Sequence, residues 1–438
     1  MEWWLTLIVI FGSLILLLMS GLPVAFAFLA LNITGAYIYW GGLTGIEQLV
    51  SSIYSSVTLF SLLPVPLFIL MGEIMFRTGV AIKMLEVLSK WMGQLPGRLA
   101  LLSVAAGVLF STLSGSSVAS TAMLGSLLLP DMEQKGYQRK LSLGSIMGSG
   151  GLATMIPPSA LGVLLASLGQ ISVGDFLIAI IVPGIVMAII YATYIVGSVL
   201  RNPEIAPSYQ VEPTPLMEKI RETLIYILPL GTIIFLVIGV IILGLATPTE
   251  AAALGTIASL ILSWLYGSLS WESLKESLLS TLHVTVMVFM IMTGSAAFSH
   301  ILAFSGATSG LIGAVASLDT MPILVLIAMQ LTVAFMGAFM EPLSIMMVVL
   351  PVFLPVAQTL GFNPLWFGVI LLINLETATI SPPFGTGLFA MKGVAPPDTT
   401  IGLVYRAAIP FVVCNIVAMA AVMIFPDLAL WLPGFIQK

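Results

Sequence analysis

Two stretches of the sequence decide how the chain folds: Ile156-Pro157-Pro158 and Ser381-Pro382-Pro383. Each interrupts an apolar run that would otherwise suffice to cross a bilayer, which takes about 20 residues. A shift of 225 residues lays one stretch on the other without a gap, and it also lays Leu127-Leu128-Leu129-Pro130 on Val352-Phe353-Leu354-Pro355. The chain therefore contains an internal repeat whose halves carry a proline break at the same place.

The composition excludes a water-soluble fold. Hydrophobic residues make up 59% of the 438 residues and charged residues only 8%, whereas soluble domains contain about 25% charged residues. Roughly ten apolar stretches are long enough to span a bilayer. The first, residues 3–19, is predicted to be a span, because no basic region precedes it and no small-residue cleavage site follows. We therefore expect an all-α polytopic membrane protein.

The positions of the charges predict the topology. The 14 Lys and Arg residues fall in a few inter-span loops and at the C-terminal residue. The positive-inside rule places such loops in the cytoplasm. This orientation puts nearly all of the basic residues on the inner side of the membrane and the N-terminus in the periplasm.

The first half is predicted to contain a re-entrant hairpin. Residues 99–130 leave from and return to the cytoplasmic side, because both ends carry basic residues, and Ser114-Gly115-Ser116-Ser117 interrupts the apolar run. The other predicted elements are spans at 3–20, 22–40, 62–76 and 176–200, a broken span at 142–168, and amphipathic interfacial segments at 43–60 and 77–98.

The second half repeats this pattern after a polar linker. Its predicted elements are spans at 224–244, 248–266, 280–304 and 407–425, a second hairpin at 321–360, and a span broken at Pro382-Pro383. Each half then crosses the membrane an odd number of times, five, so the halves are predicted to be inverted relative to each other. Inverted repeats with broken helices are typical of alternating-access carriers. The alternative is that the prolines merely kink packed helices.

Each proline break is predicted to face a hairpin tip of small and hydroxyl-bearing residues. The first tip, residues 111–117, faces residues 149–154, and the second tip, residues 337–342, faces residues 374–381. A break in a membrane helix frees backbone groups that protein, water or an ion must satisfy. Oxygen ligands without His or Cys suit a hard cation, so we expect Na⁺ and no transition metal. The alternative is that the small residues only permit close helix packing.

Four acidic residues fall inside or at the ends of apolar runs, where a carboxylate is a functional candidate by default. Glu73 stands four residues before Arg77, and this spacing predicts an ion pair. Glu250 follows a Thr-Pro-Thr stretch that is typical of a helix start. Glu341 and Glu376 are candidates for proton coupling or for orienting a substrate, and helix capping is the alternative for both.

Other function classes find no support in the sequence. No Ser-His-Asp set, phosphate loop or His-Glu-x-x-His motif is recognisable, so we expect no enzyme. The single cysteine, Cys414, cannot form a disulfide within one chain, and a metal site built on His283 and His300 is not expected. The net charge of −5 without a basic patch argues against a nucleic-acid partner.

A series of motifs extends over essentially the whole chain. They are Pro130-Asp131-Met132, Gly136-Tyr137, Gly150-Gly151-Leu152, Ile156-Pro157-Pro158-Ser159, Ala246-Thr247-Pro248-Thr249-Glu250-Ala251-Ala252-Ala253, Gly337-Ala338-Phe339-Met340-Glu341-Pro342, and the stretch from Asn374 to Gly385. This series resembles the large membrane (M) subunit of TRAP transporters, the tripartite ATP-independent periplasmic transporters.

The resemblance implies an elevator-type Na⁺ symporter with no cofactor beyond the coupling ion. It implies a first Na⁺ site made by Ser111, Ser114 and the backbone of Ala153, Ile156 and Pro158. It implies a second site made by Gly337, Ala378, the Ser381 hydroxyl and Thr386. The candidates for contact with the substrate are Ser116, Ser117, Glu341, Asn374, Glu376 and Thr377. Relatives usually carry Gly at positions 153 and 378 and Thr at position 381, but the substitutions keep the oxygen ligands.

The resemblance also implies a division into a moving transport domain and a static scaffold. The predicted division is scaffold at 1–98, first transport-domain half at 99–200, cytoplasmic linker at 201–223, scaffold at 224–304, second transport-domain half at 305–406, and a C-terminal span at 407–438.

We therefore expect Na⁺-coupled uptake of an organic acid (a carboxylate) across a bacterial inner membrane. The implied partners are a small membrane (Q-type) subunit, a periplasmic substrate-binding protein and the lipid bilayer. The alternatives are a stand-alone carboxylate carrier driven by Na⁺ or H⁺, a channel, and a non-transporting membrane anchor for an enzyme complex.

Overall fold

The structure is a computed structural model, and it describes residues 2–114, 116–209, 214–317 and 321–436. Within these ranges every regular element is a helix. The side chains at positions 80, 81 and 111–114 are outside the description, although helices pass through these positions.

Eleven helices form the part of the first half that the structure describes. They are α1 (Trp3–Met19), α2 (Val24–Tyr39), α3 (Leu43–Val57), α4 (Pro64–Arg77), α5 (Val80–Trp91), α6 (Arg98–Ser114), α7 (Ser117–Gln134), α8 (Arg139–Met155), α9 (Ala160–Leu168), α10 (Val173–Ala179) and α11 (Ile181–Arg201). The first hairpin is α6 and α7, and the first broken helix is α8 and α9.

The helices of the second half follow in the same manner. They are α12 (Leu216–Ile242), α13 (Pro248–Leu265), α14 (Trp271–Phe304), α15 (Ala307–Ser317), α16 (Pro322–Gly337), α17 (Pro342–Thr359), α18 (Pro364–Thr379), α19 (Thr386–Val394), α20 (Ile401–Ile424) and α21 (Asp427–Ile436). The second hairpin is α16 and α17, and the second broken helix is α18 and α19.

The helix boundaries follow the internal repeat of the sequence. The shift of 225 residues places both ends of α7 on both ends of α17, and it places the first residue of α8 on the first residue of α18. Breaks occur at the predicted positions in both hairpins and in both broken helices. The two proline pairs at 157–158 and 382–383 both have a cis peptide bond.

The long apolar helices do not match the roughly ten predicted spans one to one, because α17 belongs to the second hairpin and α1 and α2 are slightly shorter than the rest. Among the described residues, seven helices are long and apolar enough to cross a membrane, and the pair α8 and α9, bent by 45°, makes an eighth. The sequence predicted roughly ten spans. Apolar composition alone does not show at which residue a helix ends. Helices α1 and α2 have only 17 and 16 residues, and α18 and α19 are separated by residues 380–385.

Two helices were not predicted. Helix α15 lies between a predicted span and the second hairpin, and α21 follows the last predicted span. Helix α14 is also longer than predicted, because it begins at Trp271, where Ser270 and Ser273 form a reciprocal cap. At Glu250 the prediction of a helix start is confirmed, since Thr247 and Glu250 form a capping box at the start of α13.

Equivalent helices of the two halves make equivalent contacts with the opposite half. Helix α2 packs on α14 while its counterpart α13 packs on α4, and α8 packs on α20 while its counterpart α18 packs on α10. Thr154 near the end of α8 reaches Glu376 near the end of α18. Leu165, further along in α9, contacts Gly368 near the start of α18. The two broken helices therefore run antiparallel to each other.

Ion pairs join the loops at one end of the bundle. Arg139 at the start of α8 binds Glu133 at 2.8 Å and Asp398 at 2.5 Å. Its guanidinium group holds the pKa of the Asp398 carboxyl below the usual value. Lys90 of α5 binds Glu222 of α12 at 2.5 Å. The pairs of Arg139 with Asp398 and of Lys90 with Glu222 link the first half to the second half.

Close packing of α8 on α20 depends on glycines. A Cβ atom added at Gly144 would lie 2.4 Å from the backbone oxygen of Ala407, and a backbone atom cannot easily move aside. We predict that Gly144→Ala lowers the free energy of unfolding by about 1–3 kcal/mol, as a lower melting temperature in detergent will report. The control is Gly12→Ala in α1, where no atom lies within 4 Å of the added Cβ. Equal melting temperatures for both variants would contradict this packing.

Candidate functional site

Both broken helices end inside the protein rather than at its surface. Helix α8 stops at Met155 and the backbone becomes extended at Ile156 (φ −111°, ψ 121°). Helix α9 starts after Ser159, whose hydroxyl accepts a hydrogen bond from the Gly162 backbone at 3.0 Å. The corresponding end of α18 at Thr379 is buried as well. The backbone groups freed at the first break thus lie in a protein environment, whereas the residues that follow Ile380 at the second break are partly exposed.

A fully buried carboxylate joins the two breaks. Glu376 of α18 has an exposed fraction of 0%. Its side chain accepts hydrogen bonds from the hydroxyl of Thr154 at 2.6 Å and from the hydroxyl of Thr379 at 2.8 Å. Ser117, in the first turn of α7, also hydrogen bonds to it. One side chain therefore connects the first hairpin, the first broken helix and the second broken helix.

The repeat relates the members of this cluster to one another. Thr154 and Thr379 occupy equivalent positions under the 225-residue shift, and so do Gly151 and Glu376. A Cβ atom at Gly151 would lie 2.4 Å from the Oε1 atom of Glu376. One half therefore supplies the carboxylate, and the other half supplies the space that the carboxylate fills.

A second pair of equivalent residues connects each broken helix to the first helix of its own hairpin. In the first half, the Ser149 hydroxyl lies 3.1 Å from the hydroxyl of Ser103 on α6. In the second half, the amide of Asn374 donates to the backbone oxygen of Gln330 on α16 at 2.7 Å. Positions 149 and 374 are equivalent, so each broken helix binds its own hairpin through the same position.

A cavity of about 480 Å³ opens beside this cluster. Its wall includes the first residues of four helices: Ser117 of α7, Ala160 of α9, Pro342 of α17 and Thr386 of α19. Helix N-termini carry unpaired backbone N–H groups and a partial positive charge, and they favour anions such as carboxylates. The four helix N-termini therefore add positive potential to a cavity that also presents the hydroxyl groups of Ser116, Ser117, Thr154 and Thr379 and the carboxylate of Glu341.

The cavity wall also contains charged residues of α4. Arg77 of α4 binds Glu73 at 3.0 Å and Glu276 at 2.5 Å, and Ser280 donates to Glu73 at 2.8 Å. The predicted pairing of Glu73 with Arg77 is confirmed. Both residues also line the cavity, which the sequence did not indicate.

The predicted residues of the first Na⁺ site are partly described. Ala153, Ile156 and Pro158 are buried at the first break. The side chains of Ser111 and Ser114 lie outside the described residues. Ala153, Ile156 and Pro158 therefore lie around the first break, close to Thr154 in the chain.

The predicted residues of the second Na⁺ site converge. A Cβ atom at Gly337 would lie 2.5 Å from the Cβ atom of Ala378, so the tip of the second hairpin touches the end of α18. The Ser381 hydroxyl donates to the backbone oxygen of Thr377 at 2.8 Å, which leaves its own oxygen lone pairs available to a cation. Thr386 lines the cavity.

The candidates for substrate contact separate into two groups. Ser116, Ser117 and Glu341 line the cavity. Asn374, Glu376 and Thr377 are buried behind it and are hydrogen bonded to protein groups. The first group can contact a ligand directly, whereas the second group positions the helices around it.

Sequence reasoning missed Thr154 and Thr379 as individual residues. Thr154 borders the cavity and binds Glu376, and Thr379 does the same from the other half. The sequence did contain a signal for both residues. A threonine occurs at the same position of each repeat, three residues before each proline pair.

The sequence is similar to transporter subunits over nearly its full length. A family model described as "Tripartite ATP-independent periplasmic transporter, DctM component" matches residues 11–428. The C4-dicarboxylate TRAP transporter large permease protein DctM of Pseudomonas aeruginosa is 30% identical over 394 residues, which cover 89% of this chain and 90% of that protein. The ectoine/5-hydroxyectoine TRAP transporter large permease protein UehC of Ruegeria pomeroyi is 29% identical over 425 residues, 97% of each protein.

The fold is also similar to that of a solved transporter. The crystal structure of the YdaH transporter of Alcanivorax borkumensis superposes with a TM-score of 0.64 at 15% sequence identity and covers 90% of both chains. At this identity the likeness concerns the fold alone.

The buried Glu376 cluster generates a prediction on stability. Glu376→Ala removes the acceptor of the Thr154 and Thr379 hydrogen bonds, and each such bond contributes about 0.5–1.5 kcal/mol. Glu376→Gln keeps an acceptor oxygen and the side-chain volume. We predict that Glu376→Ala has a clearly lower melting temperature than Glu376→Gln. If the two variants have the same melting temperature, the Glu376 cluster does not stabilise the two helix breaks.

Proposed function

The chain belongs to the DctM family, the large membrane component of tripartite ATP-independent periplasmic transporters, and from that premise we propose that it imports an organic acid together with Na⁺. It is a transporter permease and not an enzyme. The observation that carries the proposal is the convergence of four helix N-termini and two helix breaks on one cavity.

Oxygen-rich breaks support Na⁺ as the coupling ion. The residues at the breaks offer backbone carbonyl groups and the hydroxyl of Ser381, and such hard ligands suit an alkali cation. A cation bound there would balance part of the negative charge of a substrate in the adjacent cavity. The first ion binds at Ser111, Ser114, Ala153, Ile156 and Pro158.

The second ion binds at Gly337, Ala378, Ser381 and Thr386. A carboxylate of the substrate binds at the helix N-termini beside these ions. The names of two relatives support this class of substrate, since C4-dicarboxylates and ectoine both carry a carboxylate. Ser116, Ser117 and Glu341 contact the substrate.

Alternating access is typical of inverted repeats with broken helices, and we propose that an elevator movement provides it here. The antiparallel course of the two broken helices and the reciprocal contacts between the halves support this inversion. A further cavity of about 570 Å³, lined by Ser167, Gln170, Ser295 and His300, contacts α14 nearer to its C-terminal end than the first cavity does. The transport domain carries the substrate between the two sides along α14.

The protein acts in the bacterial inner membrane, with its N-terminus in the periplasm. It works with a small membrane subunit and with a periplasmic binding protein that delivers the substrate. The description of the relatives as large permease proteins supports a smaller partner subunit. The competing function is a stand-alone carrier, which would accumulate substrate without either partner.

Uptake into proteoliposomes tests the proposal. The chain is reconstituted with its small subunit, and the binding protein is added outside with a labelled carboxylate substrate. We predict accumulation that requires an inward Na⁺ gradient and the binding protein. Accumulation that is driven by a pH gradient and is indifferent to Na⁺ would contradict Na⁺ coupling.

A matched pair of serine variants tests the second ion site. Ser381→Ala removes a hydroxyl ligand, and we predict that the Na⁺ concentration for half-maximal uptake rises by about tenfold or more. The control is Ser126→Ala, an exposed serine of α7 whose hydroxyl only binds the backbone oxygen of Met123. Identical Na⁺ activation of both variants would remove Ser381 from the ion site.

A further inference from the structure

A third cavity lies far from the transport site, at the end of the bundle where charged loops gather. It has a volume of about 550 Å³. One wall is the turn 93–97 between α5 and α6, and the facing wall is the segment 203–209 that leaves α11. Tyr137, after the first hairpin, completes the lining. The cavity thus adjoins both chain segments that lead into and out of the first transport-domain half.

Arg98 is the charged residue of this lining. Its exposed fraction is 7%. One guanidinium nitrogen donates to the backbone oxygen of Ser89 at 2.6 Å, and another donates to the hydroxyl of Tyr209 at 3.3 Å. Its Nε atom has no hydrogen-bond partner, and no carboxylate forms a salt bridge with the residue, within the described parts of the chain.

A buried cation without a counter-charge is energetically unfavourable. A buried charge is normally paired, because water no longer solvates it. Arg98 is also the first residue of α6, where the helix dipole adds further positive potential. Lys135 contributes a second positive charge, 4.8 Å from the centre of the Tyr209 ring. The site therefore has the electrostatics of an anion site.

The apolar part of the lining indicates where the anion comes from. Leu95 and Leu200 both border the cavity, and their exposed fractions are 52% and 67%. In a membrane protein such leucines contact acyl chains. Basic pockets between spans on the cytoplasmic side bind anionic lipid headgroups. A lipid places its phosphate next to Arg98 and its chains along the two leucines, whereas a free phosphate uses only the polar part.

We infer that this cavity binds a phosphate group, carried by the headgroup of an anionic phospholipid. The Arg98 guanidinium binds the phosphate oxygens, and Leu95 and Leu200 contact the acyl chains. Lys135 lies outside the lining and adds positive potential from its position over the Tyr209 ring. The bound lipid would connect the turn 93–97 to the segment 203–209. Gly93 and Gly97 both have a positive φ, 54° and 68°, which glycine adopts without strain, so this wall of the cavity is a tight turn.

Lipid-dependent thermal stability of the full-length chain tests this inference. The purified protein is titrated in detergent with phosphatidylglycerol, with phosphatidylcholine of the same acyl chains, and with inorganic phosphate. A ligand that binds only the folded state raises the melting temperature according to its affinity. We expect phosphatidylglycerol to raise the melting temperature at concentrations at which phosphatidylcholine and inorganic phosphate have no effect. If inorganic phosphate raised the melting temperature as much as phosphatidylglycerol does, the site would bind free phosphate and not a lipid.

Variants identify the residue that responds. Arg98→Gln should weaken the apparent affinity for phosphatidylglycerol by about tenfold, which is the contribution of a charged hydrogen bond. The control is Arg406→Gln, an exposed arginine remote from the cavity lining, which should keep the affinity of the unmodified protein. Equal effects of both variants would overturn the site.

Two measurements keep the inference testable if Arg98→Gln does not fold. The first measurement compares the effects of phosphatidylglycerol and phosphatidylcholine on the melting temperature of the unmodified protein. Equal effects of the two lipids would overturn the inference. Glu212, which is outside the described residues, is the nearest acidic residue in sequence after Tyr209. We expect Glu212→Gln to retain the lipid response. A lipid response that appears only after Glu212→Gln would show that the Glu212 carboxylate, and not a lipid phosphate, pairs with Arg98 in the unmodified protein, and it would overturn the inference.

Discussion

The structure depends on one constraint: a helix that is broken inside a membrane must have its freed backbone groups satisfied by the protein itself or by a ligand. Two such breaks occur, at residues 156–159 and 380–385. They lie beside each other, and the carboxylate of Glu376 connects them through Thr154 and Thr379. The first break is buried among protein groups, whereas the second is partly exposed, since Phe384 has an exposed fraction of 55%.

This constraint explains why the two halves resemble each other in backbone but differ in side chains. Gly151 and Glu376 occupy equivalent positions, and the glycine makes room for the carboxylate. Ser149 and Asn374 are also equivalent, and each fixes its own hairpin. A single site shared between two halves needs only one carboxylate, so the sequences of the halves diverge at that point while the helix ends remain aligned.

Much of the fold could be predicted from the sequence, because the 225-residue repeat locates the hairpins and breaks and the basic residues locate the loops. Helices α15 and α21 escaped prediction, since a short apolar helix differs little in composition from an apolar loop. The hydrogen-bond partners of Glu376 were also not predicted from the sequence. Thr154 and Thr379 are ordinary residues in the sequence, and only the antiparallel contact of α8 with α18 brings Thr154 to the carboxylate. The cavity position of Glu73 depends likewise on packing between α4 and the hairpins.

The opposite orientation of the two halves is the central claim, and cysteine accessibility measures it most directly. Gln134 and Thr359 are equivalent, exposed residues at the ends of α7 and α17. In a chain whose native cysteine is replaced, Cys414→Ala, each position is changed in turn, Gln134→Cys and Thr359→Cys, and vesicles of known orientation are treated with a membrane-impermeant maleimide. The account predicts that Gln134→Cys reacts only from the cytoplasmic side and Thr359→Cys only from the periplasmic side. Reaction of both from the same side would contradict it.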